Sequence, residues 1–221
     1  MLMKGFKIMK KGAIFDLDGT LVNSMKVWEN ADYILAAERY GFKPDEEYWN
    51  RVTSCSFMQG AEYITERFKL RKTAEEIAQE LYEIVLNDYK NTIKLKDGAK
   101  ELLTRMKNDG LKLAIATSNT EEMTFAVLKS NGVFDLFTAF AYCDDVGKNK
   151  SYPDVYYKAA SDMGLLTEEC YIFEDVPNAV DGAKKSGAEV IGVYDEYSAA
   201  KEQEIRSKSD RYIMSLKEFI Y

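Results

Sequence analysis

The sequence predicts an α/β protein: a doubly wound parallel sheet with a helical segment inserted after its first strand. Three observations carry this reading. Six short apolar runs punctuate the chain, at residues 12–15, 111–116, 139–142, 171–173, 190–193 and 212–214. Several are apolar at consecutive positions, as expected of strands covered on both faces of a parallel sheet. From Leu111 onward these runs alternate with stretches of helical spacing at 121–130, 153–163, 177–186 and 198–207, and alternation of strand with helix is the signature of parallel βαβ units. Between Ser24 and about Leu95 the period changes, and 25–40, 57–68 and 74–89 carry only helical patterns, such as Ile77, Leu81, Ile84, Val85 and Tyr89. The core is therefore Rossmann-like, and it holds residues 1–22 and 96–221. Residues 23–95 form an α-helical cap with hinges at 22–25 and 94–98. A further amphipathic helix, with Leu102, Leu103 and Met106, leads from the second hinge to the second strand.

Composition narrows the chemistry. A chain of 221 residues, 46% hydrophobic and 30% charged with 3 Pro and 13 Gly, is an ordinary globular sequence long enough for one large domain or a core with an insertion. It contains 0 His, which removes Ser-His-Asp and Cys-His catalysis and every His-containing metal site. The net charge of −7 is opposite in sign to the footprint of a nucleic-acid binder, so no nucleic-acid partner is expected. Cys55, Cys143 and Cys170 are widely spaced and form no CxxC pair, which reads as reduced thiols in a cytoplasmic protein. No run approaches the ~18 apolar residues of a membrane span, and residues 1–11 lack the apolar stretch of an export signal. No membrane partner is expected.

In an open α/β sheet, ligands bind beyond the carboxyl ends of the strands, so the residues just after each apolar run are the informative ones. The first run is followed by Asp16-Leu17-Asp18-Gly19-Thr20, and the second by Thr117-Ser118-Asn119. The third leads to Asp144-Asp145 and the loop with Lys148 and Lys150, and the fourth to Glu174-Asp175. Carboxylates, a lysine and small hydroxyl or amide residues thus share one edge. A divalent cation and a phosphoryl group together require that combination: oxygen ligands for a hard ion, a fixed positive charge, and donors for phosphoryl oxygens.

With these residues the chain resembles the haloacid dehalogenase-like superfamily, and more closely its phosphatase and beta-phosphoglucomutase-like branch with a helical cap. The motifs that carry the likeness are Asp16-x-Asp18-Gly19-Thr20, Thr117, Lys150 ahead of Pro153-Asp154, and Glu174-Asp175. Four elements stand in the right order, each after the right strand, with Ser186-Gly187-Ala188 closing the helix that follows the last. The resemblance, together with the placement at strand ends, implies Asp16 as the nucleophile that forms an aspartyl-phosphate and Asp18 as general acid, then base. It implies Mg²⁺ held by Asp16, the Asp18 backbone carbonyl, and Asp175 with Glu174 behind or beside it. Gly19 allows the tight turn and Thr20 orients Asp18. Thr117, Ser118 and Asn119 hold the phosphoryl group, although Asn119 equally suits the N-cap of the next helix. Lys150 is the fixed cation, favoured by its spacing to Pro153-Asp154, with Lys148 as its rival.

The cap supplies Met25, Trp28 and Arg51 as candidate substrate contacts, the first two equally suited to packing inside it. Its segment 53–59 lacks the basic residues with which phosphomutase relatives hold a second phosphate, so hydrolysis ranks ahead of a sugar-phosphate mutase. A receiver-like signalling module would also place acids and a lysine around a phosphorylatable Asp, yet has no use for a cap or for a proton donor such as Asp18. The expected activity is a magnesium-dependent phosphatase acting on a small phosphorylated metabolite. Sugar phosphates, phosphoglycolate and nucleoside monophosphates are all compatible, since cap loops choose among them, and the sequence is silent on oligomeric state.

Overall fold

Six strands, β1 (Gly12–Phe15), β2 (Lys112–Thr117), β3 (Ala139–Tyr142), β4 (Cys170–Glu174), β5 (Glu189–Val193) and β6 (Arg211–Ile213), join in one sheet of order β3-β2-β1-β4-β5-β6. All five pairings are parallel. The computed structural model describes residues 10–48 and 57–221, less the side chains of Trp28 and Phe57. It divides the chain into two units, residues 1–23 with 94–221, and residues 24–93.

In the first unit, β1 and β4 are buried at every position, which is why they read in sequence as unbroken apolar runs rather than as alternating ones. On one sheet face, Ile14, Ala114, Ala116, Ala141, Ile172 and Val190 pack against Tyr156, Ala159 and Met163, and against Val180, Ala183 and Ile205. The first three of these partners belong to α6 (Asp154–Asp162) and its end, the others to α7 (Pro177–Lys185) and α8 (Glu202–Lys208). Small residues on the central strands let these helices approach closely. In the aromatic layer Phe15 stacks on Phe173 and Phe173 meets Phe219 edge-on. The helix α4 (Ala99–Asn108) buries Leu102, Leu103 and Met106, and α5 (Glu121–Ser130) follows β2.

The second unit is helical: α1 (Met25–Tyr33), α2 (Phe57–Phe68) and α3 (Ala74–Asn91). Thr73 starts α3 with a capping box, its hydroxyl accepting from the Glu76 amide while the Glu76 carboxylate accepts from the Thr73 amide. The expected stripe Ile77, Leu81, Ile84, Val85 and Tyr89 is buried. One difference from the sequence reading is that 25–40 is not uniformly α-helical, since Ile34–Arg39 widens to a π-helix. Leu35 and Ala36 stay buried there while Arg39 and Tyr40 both reach Glu80; the wider turn satisfies both demands. Among the described residues, no helix is long and apolar enough to cross a membrane.

Candidate active site

The carboxyl ends of β1, β2 and β4 meet at the centre of the sheet, where β1 lies between its two neighbours. The Asp16 amide donates to the Phe173 carbonyl at 3.0 Å, which continues the β1–β4 ladder one residue past β1 and sets Asp16 beside the end of β4. There one carboxylate oxygen each from Asp16, Glu174 and Asp175 lie within 4.8 Å of one another, and all three residues are buried.

Lys150 enters this cluster from the loop ahead of α6. Its ammonium donates to Asp16 Oδ1 and, at 2.8 Å, to Glu174 Oε1. Burial alone would push this lysine toward neutrality, but the two carboxylates outweigh it and hold its pKa above the usual lysine range. Lys148, its rival in the sequence, is exposed and pairs with Asp154 at 2.7 Å. What delivers Lys150 is Gly182 on α7: a Cβ there would overlap the Lys150 carbonyl oxygen and crowd that of Tyr152. The loop therefore lies directly on the helix backbone, and the Lys185 ammonium holds the Ser151 carbonyl at 3.0 Å.

The two carboxylates of the fourth motif differ in their partners. Glu174 Oε1 accepts from Lys150 and from the Tyr156 hydroxyl, each at 2.8 Å, whereas Glu174 Oε2 is buried with no hydrogen-bond partner. Burial raises the Glu174 carboxyl to about 7 against the opposing pull of Lys150. Burial likewise raises Asp175 well above the usual carboxylate range, and the negative charges of Asp16 and Glu174 raise it further. An orphaned buried oxygen in a set of three carboxylates and one ammonium is a donor set with charge left over. Such an all-oxygen set fits a small hard cation.

Gly19 has φ of +84°, a region that suits glycine, and a Cβ on it would overlap the Asp175 carboxylate. The Thr20 hydroxyl donates at 2.8 Å to Asp175 Oδ1, a partner that the sequence reading, which had Thr20 orient Asp18, did not name. Asp18 is held instead by Asn119, whose side-chain amide donates to Asp18 Oδ2 at 2.9 Å. Asn119 is not the N-cap of α5; that place belongs to Thr120, whose hydroxyl accepts from the Met123 amide. The Asn119 backbone amide donates to Thr117 Oγ1 at 3.0 Å, so the loop after β2 is braced on the threonine that ends the strand. Thr117 is buried, Ser118 is exposed, and Ser118 Oγ lies 3.3 Å from Cys143 Sγ. Burial raises the Cys143 thiol, which keeps it neutral and unsuited to act as a nucleophile.

The core residues expected from the sequence thus gather at one sheet edge. Tyr156, Gly182 and Cys143 join them unannounced. Tyr156 was open to discovery, since the helical period that turns Val155, Ala159 and Ala160 inward also buries Tyr156 and exposes Tyr157. Among the cap candidates, Met25 opens α1 in the second unit and is half-buried. The side chain of Trp28 and all of Arg51 lie outside the described residues.

Comparison with known proteins matches residues 13–193 to the family described as haloacid dehalogenase-like hydrolase. Hexitol phosphatase A of Escherichia coli (strain K12) is 32% identical over 187 residues, which cover 83% of this chain and 82% of that protein. A phosphorylated carbohydrates phosphatase of Thermotoga maritima is 25% identical over 82% of this chain and 83% of its own. A crystal structure described as a putative beta-phosphoglucomutase from Thermotoga maritima superposes with a TM-score of 0.81, at 23% identity and over 94% of this chain and 95% of that one. That last likeness speaks to the fold.

Proposed function

Since this chain belongs to the haloacid dehalogenase-like hydrolases, we propose that it is a magnesium-dependent phosphatase of small phosphorylated metabolites, working through an aspartyl-phosphate in the cytoplasm. The observation that carries the reading is the convergence of Asp16, Glu174 and Asp175 on one point, with Lys150 bonded to two of them. The likeness to a hexitol phosphatase and to a phosphorylated carbohydrates phosphatase favours a sugar or sugar-alcohol phosphate as substrate.

The steps follow from the side chains. Asp16 ends β1 with its carboxylate at the sheet edge; one oxygen attacks phosphorus as the bond to the leaving oxygen breaks, giving the aspartyl-phosphate. Asp18, held by Asn119, gives its proton to the leaving oxygen. It then takes a proton from the water that attacks phosphorus, and the bond from phosphorus to Asp16 breaks to release inorganic phosphate. Lys150 screens the repulsion between the anionic nucleophile and the anionic phosphoryl group. The hydroxyl of Thr117 and the donors of Ser118 and Asn119 face phosphoryl oxygens. Asp16, Asp175, Glu174 and the Asp18 carbonyl would hold Mg²⁺, which supplies charge neutralisation for the phosphoryl oxygens. The residues 23–95 act as a cap that selects the leaving group.

Release of inorganic phosphate from p-nitrophenyl phosphate and from a panel of hexose, hexitol, glycolate and nucleoside monophosphates tests the proposal. Turnover should need Mg²⁺ and vanish in Asp16→Asn. Turnover that survives Asp16→Asn rules out the aspartyl-phosphate route, and conversion of a hexose phosphate to its isomer without free phosphate makes the protein a mutase.

A further inference from the structure

The chain leaves the first unit after Asn23 and returns at Lys94. At this crossing two short segments pair antiparallel: the Asn23 amide donates to the Lys94 carbonyl at 3.1 Å, and the Lys96 amide to the Leu21 carbonyl at 2.8 Å. Lys96 therefore sits beside the turn that follows β1, and its side chain folds inward, 18% exposed. An ammonium has three N–H donors, and each of this one finds an acceptor: the Gly19 carbonyl at 2.5 Å, the Tyr194 carbonyl at 2.6 Å and Asp195 Oδ2 at 3.0 Å. Asp195 is itself buried, and its other oxygen accepts from the Tyr197 amide at 2.9 Å. One lysine thus ties the turn after β1 to the loop after β5.

We propose that Lys96, fixed by Asp195, is a positioning residue that holds the Asp18-Gly19-Thr20 turn in its working conformation; this rests on the phosphatase reading above. The need for such a residue comes from Gly19. No side chain fits beneath Asp175, so the position must be glycine, yet glycine reaches many backbone conformations at little cost. The Gly19 amide donates to the Val22 carbonyl and the Leu21 amide to the Leu17 carbonyl on either side, while the carbonyl of the peptide between Gly19 and Thr20 is gripped by Lys96. Rotation would carry the Thr20 hydroxyl off Asp175 and disturb the backbone of Asp18, the proton donor. A charge-assisted hydrogen bond to the Gly19 carbonyl from a lysine locked on two other acceptors opposes that rotation. With its donors all engaged, Lys96 does not touch substrate. A carbonyl left without a partner after its removal would seek another, and a glycine peptide turns toward one at least cost.

The test measures wild type, Asp16→Asn, Lys96→Met, Asp195→Asn and a surface control, Lys100→Met, on p-nitrophenyl phosphate with saturating Mg²⁺, at a temperature where circular dichroism shows each folded. Loss of residues that orient groups around a metal site lowers activity by about 10–100-fold. Lys96→Met should lose kcat in that range with KM within about twofold, as a transition-state effect requires. Asp195→Asn should show the same pattern more weakly, and Lys100→Met neither. Hydrogen–deuterium exchange in the peptide covering 17–22 should quicken in Lys96→Met while exchange in β4 holds. Unchanged kcat in folded Lys96→Met, a rise in KM alone, or exchange that quickens across the whole core overturns the proposal. If Lys96→Met does not fold, an Asp195→Asn with wild-type kcat and exchange overturns it just as well. Inactive wild type or active Asp16→Asn instead sinks the phosphatase reading, and the proposal with it.

Discussion

Replacing Lys150 by Met removes a charge on which two buried carboxylates depend. The Lys150 side chain is 11% exposed, that of Asp16 9% and that of Glu174 0%, so little water is at hand to take the ammonium's place. Breaking a buried pair by deleting one partner costs about 3–5 kcal/mol, because an uncompensated charge is left behind. Here two carboxylates lose their partner at once, and Glu174, already raised to about 7, is driven further toward its neutral form. For a domain of this size 1 kcal/mol moves the melting midpoint by roughly 2–4 °C. The expected fall is therefore about 6–20 °C in chelated protein at pH 7.5. Lys148→Met is the matched control: the same charge is deleted from the same loop, but from an exposed pair worth about 0–1 kcal/mol. Differential scanning calorimetry of the two variants in chelator, with phosphate release measured alongside, reads both effects. Kinetically, Lys150→Met should be nearly inert and Lys148→Met close to wild type. A Lys150→Met that melts within about 1 kcal/mol of wild type, or matches Lys148→Met in turnover, would refute the assignment of this lysine as the charge that balances Asp16 and Glu174.

Three further outcomes follow from other contacts. Gly182→Ala gains about 1 kcal/mol of helix propensity, yet its Cβ overlaps the Lys150 carbonyl, so kcat should fall and the midpoint should not rise; a more stable, fully active variant would show that the loop has room to give. In the second unit, Asp32 accepts from the Tyr48 hydroxyl at 2.8 Å, and burial raises its carboxyl from 3.8 to about 6. A raised acid stabilises the fold most below its unfolded pKa and loses that contribution as pH climbs through about 6. Asp32→Asn should therefore gain about 2–3 kcal/mol over wild type at pH 8 and only about 0.5 kcal/mol at pH 4, as read from thermal melts, and equal gains at both pH values would contradict it. Finally, Mg²⁺ at one hundred times its Kd should stabilise wild type by about 2.7 kcal/mol and Asp175→Asn far less, measured as a shift in melting midpoint; equal shifts would place the ion elsewhere.

The architecture was legible because a parallel sheet buried on both faces writes itself as consecutive apolar residues, and the motifs at Asp16, Thr117 and Glu174 stand directly after such runs, with Lys150 in the loop beyond the third run. Legibility failed where an interaction joins residues distant in sequence. Local order tied Thr20 to its neighbour Asp18, but its hydroxyl meets Asp175, 155 residues on. Spacing to Pro153-Asp154 already favoured Lys150 over Lys148, but the close approach that seats its loop depends on Gly182, which has no motif of its own and acts only by what its missing side chain lets through. The π-helical turn at Ile34–Arg39 answers to Glu80 on another helix, and no window around residue 36 contains that partner. Lys96 looked like part of a hinge, because its three acceptors lie in two separate loops.

The pair of lysines also shows how one residue type does two jobs according to what surrounds it. Lys150 faces two carboxylates, and the site remains short of positive charge even so: three buried acids share one ammonium, and Glu174 keeps an oxygen without a partner. A phosphate approaching that cluster would meet net negative charge, so cation and phosphoryl group should favour one another's binding, as reciprocal coupling requires. Lys96 faces two neutral carbonyls and a single carboxylate, so it adds little field to the site, and its leverage is geometric. Exchanging either lysine for a neutral residue should therefore damage turnover by different routes, through charge at position 150 and through backbone conformation at position 96. The sheet makes both possible, because β1 runs between β2 and β4 and the residues that follow it lie within reach of two lysines from later in the chain, Lys96 at Gly19 and Lys150 at Asp16.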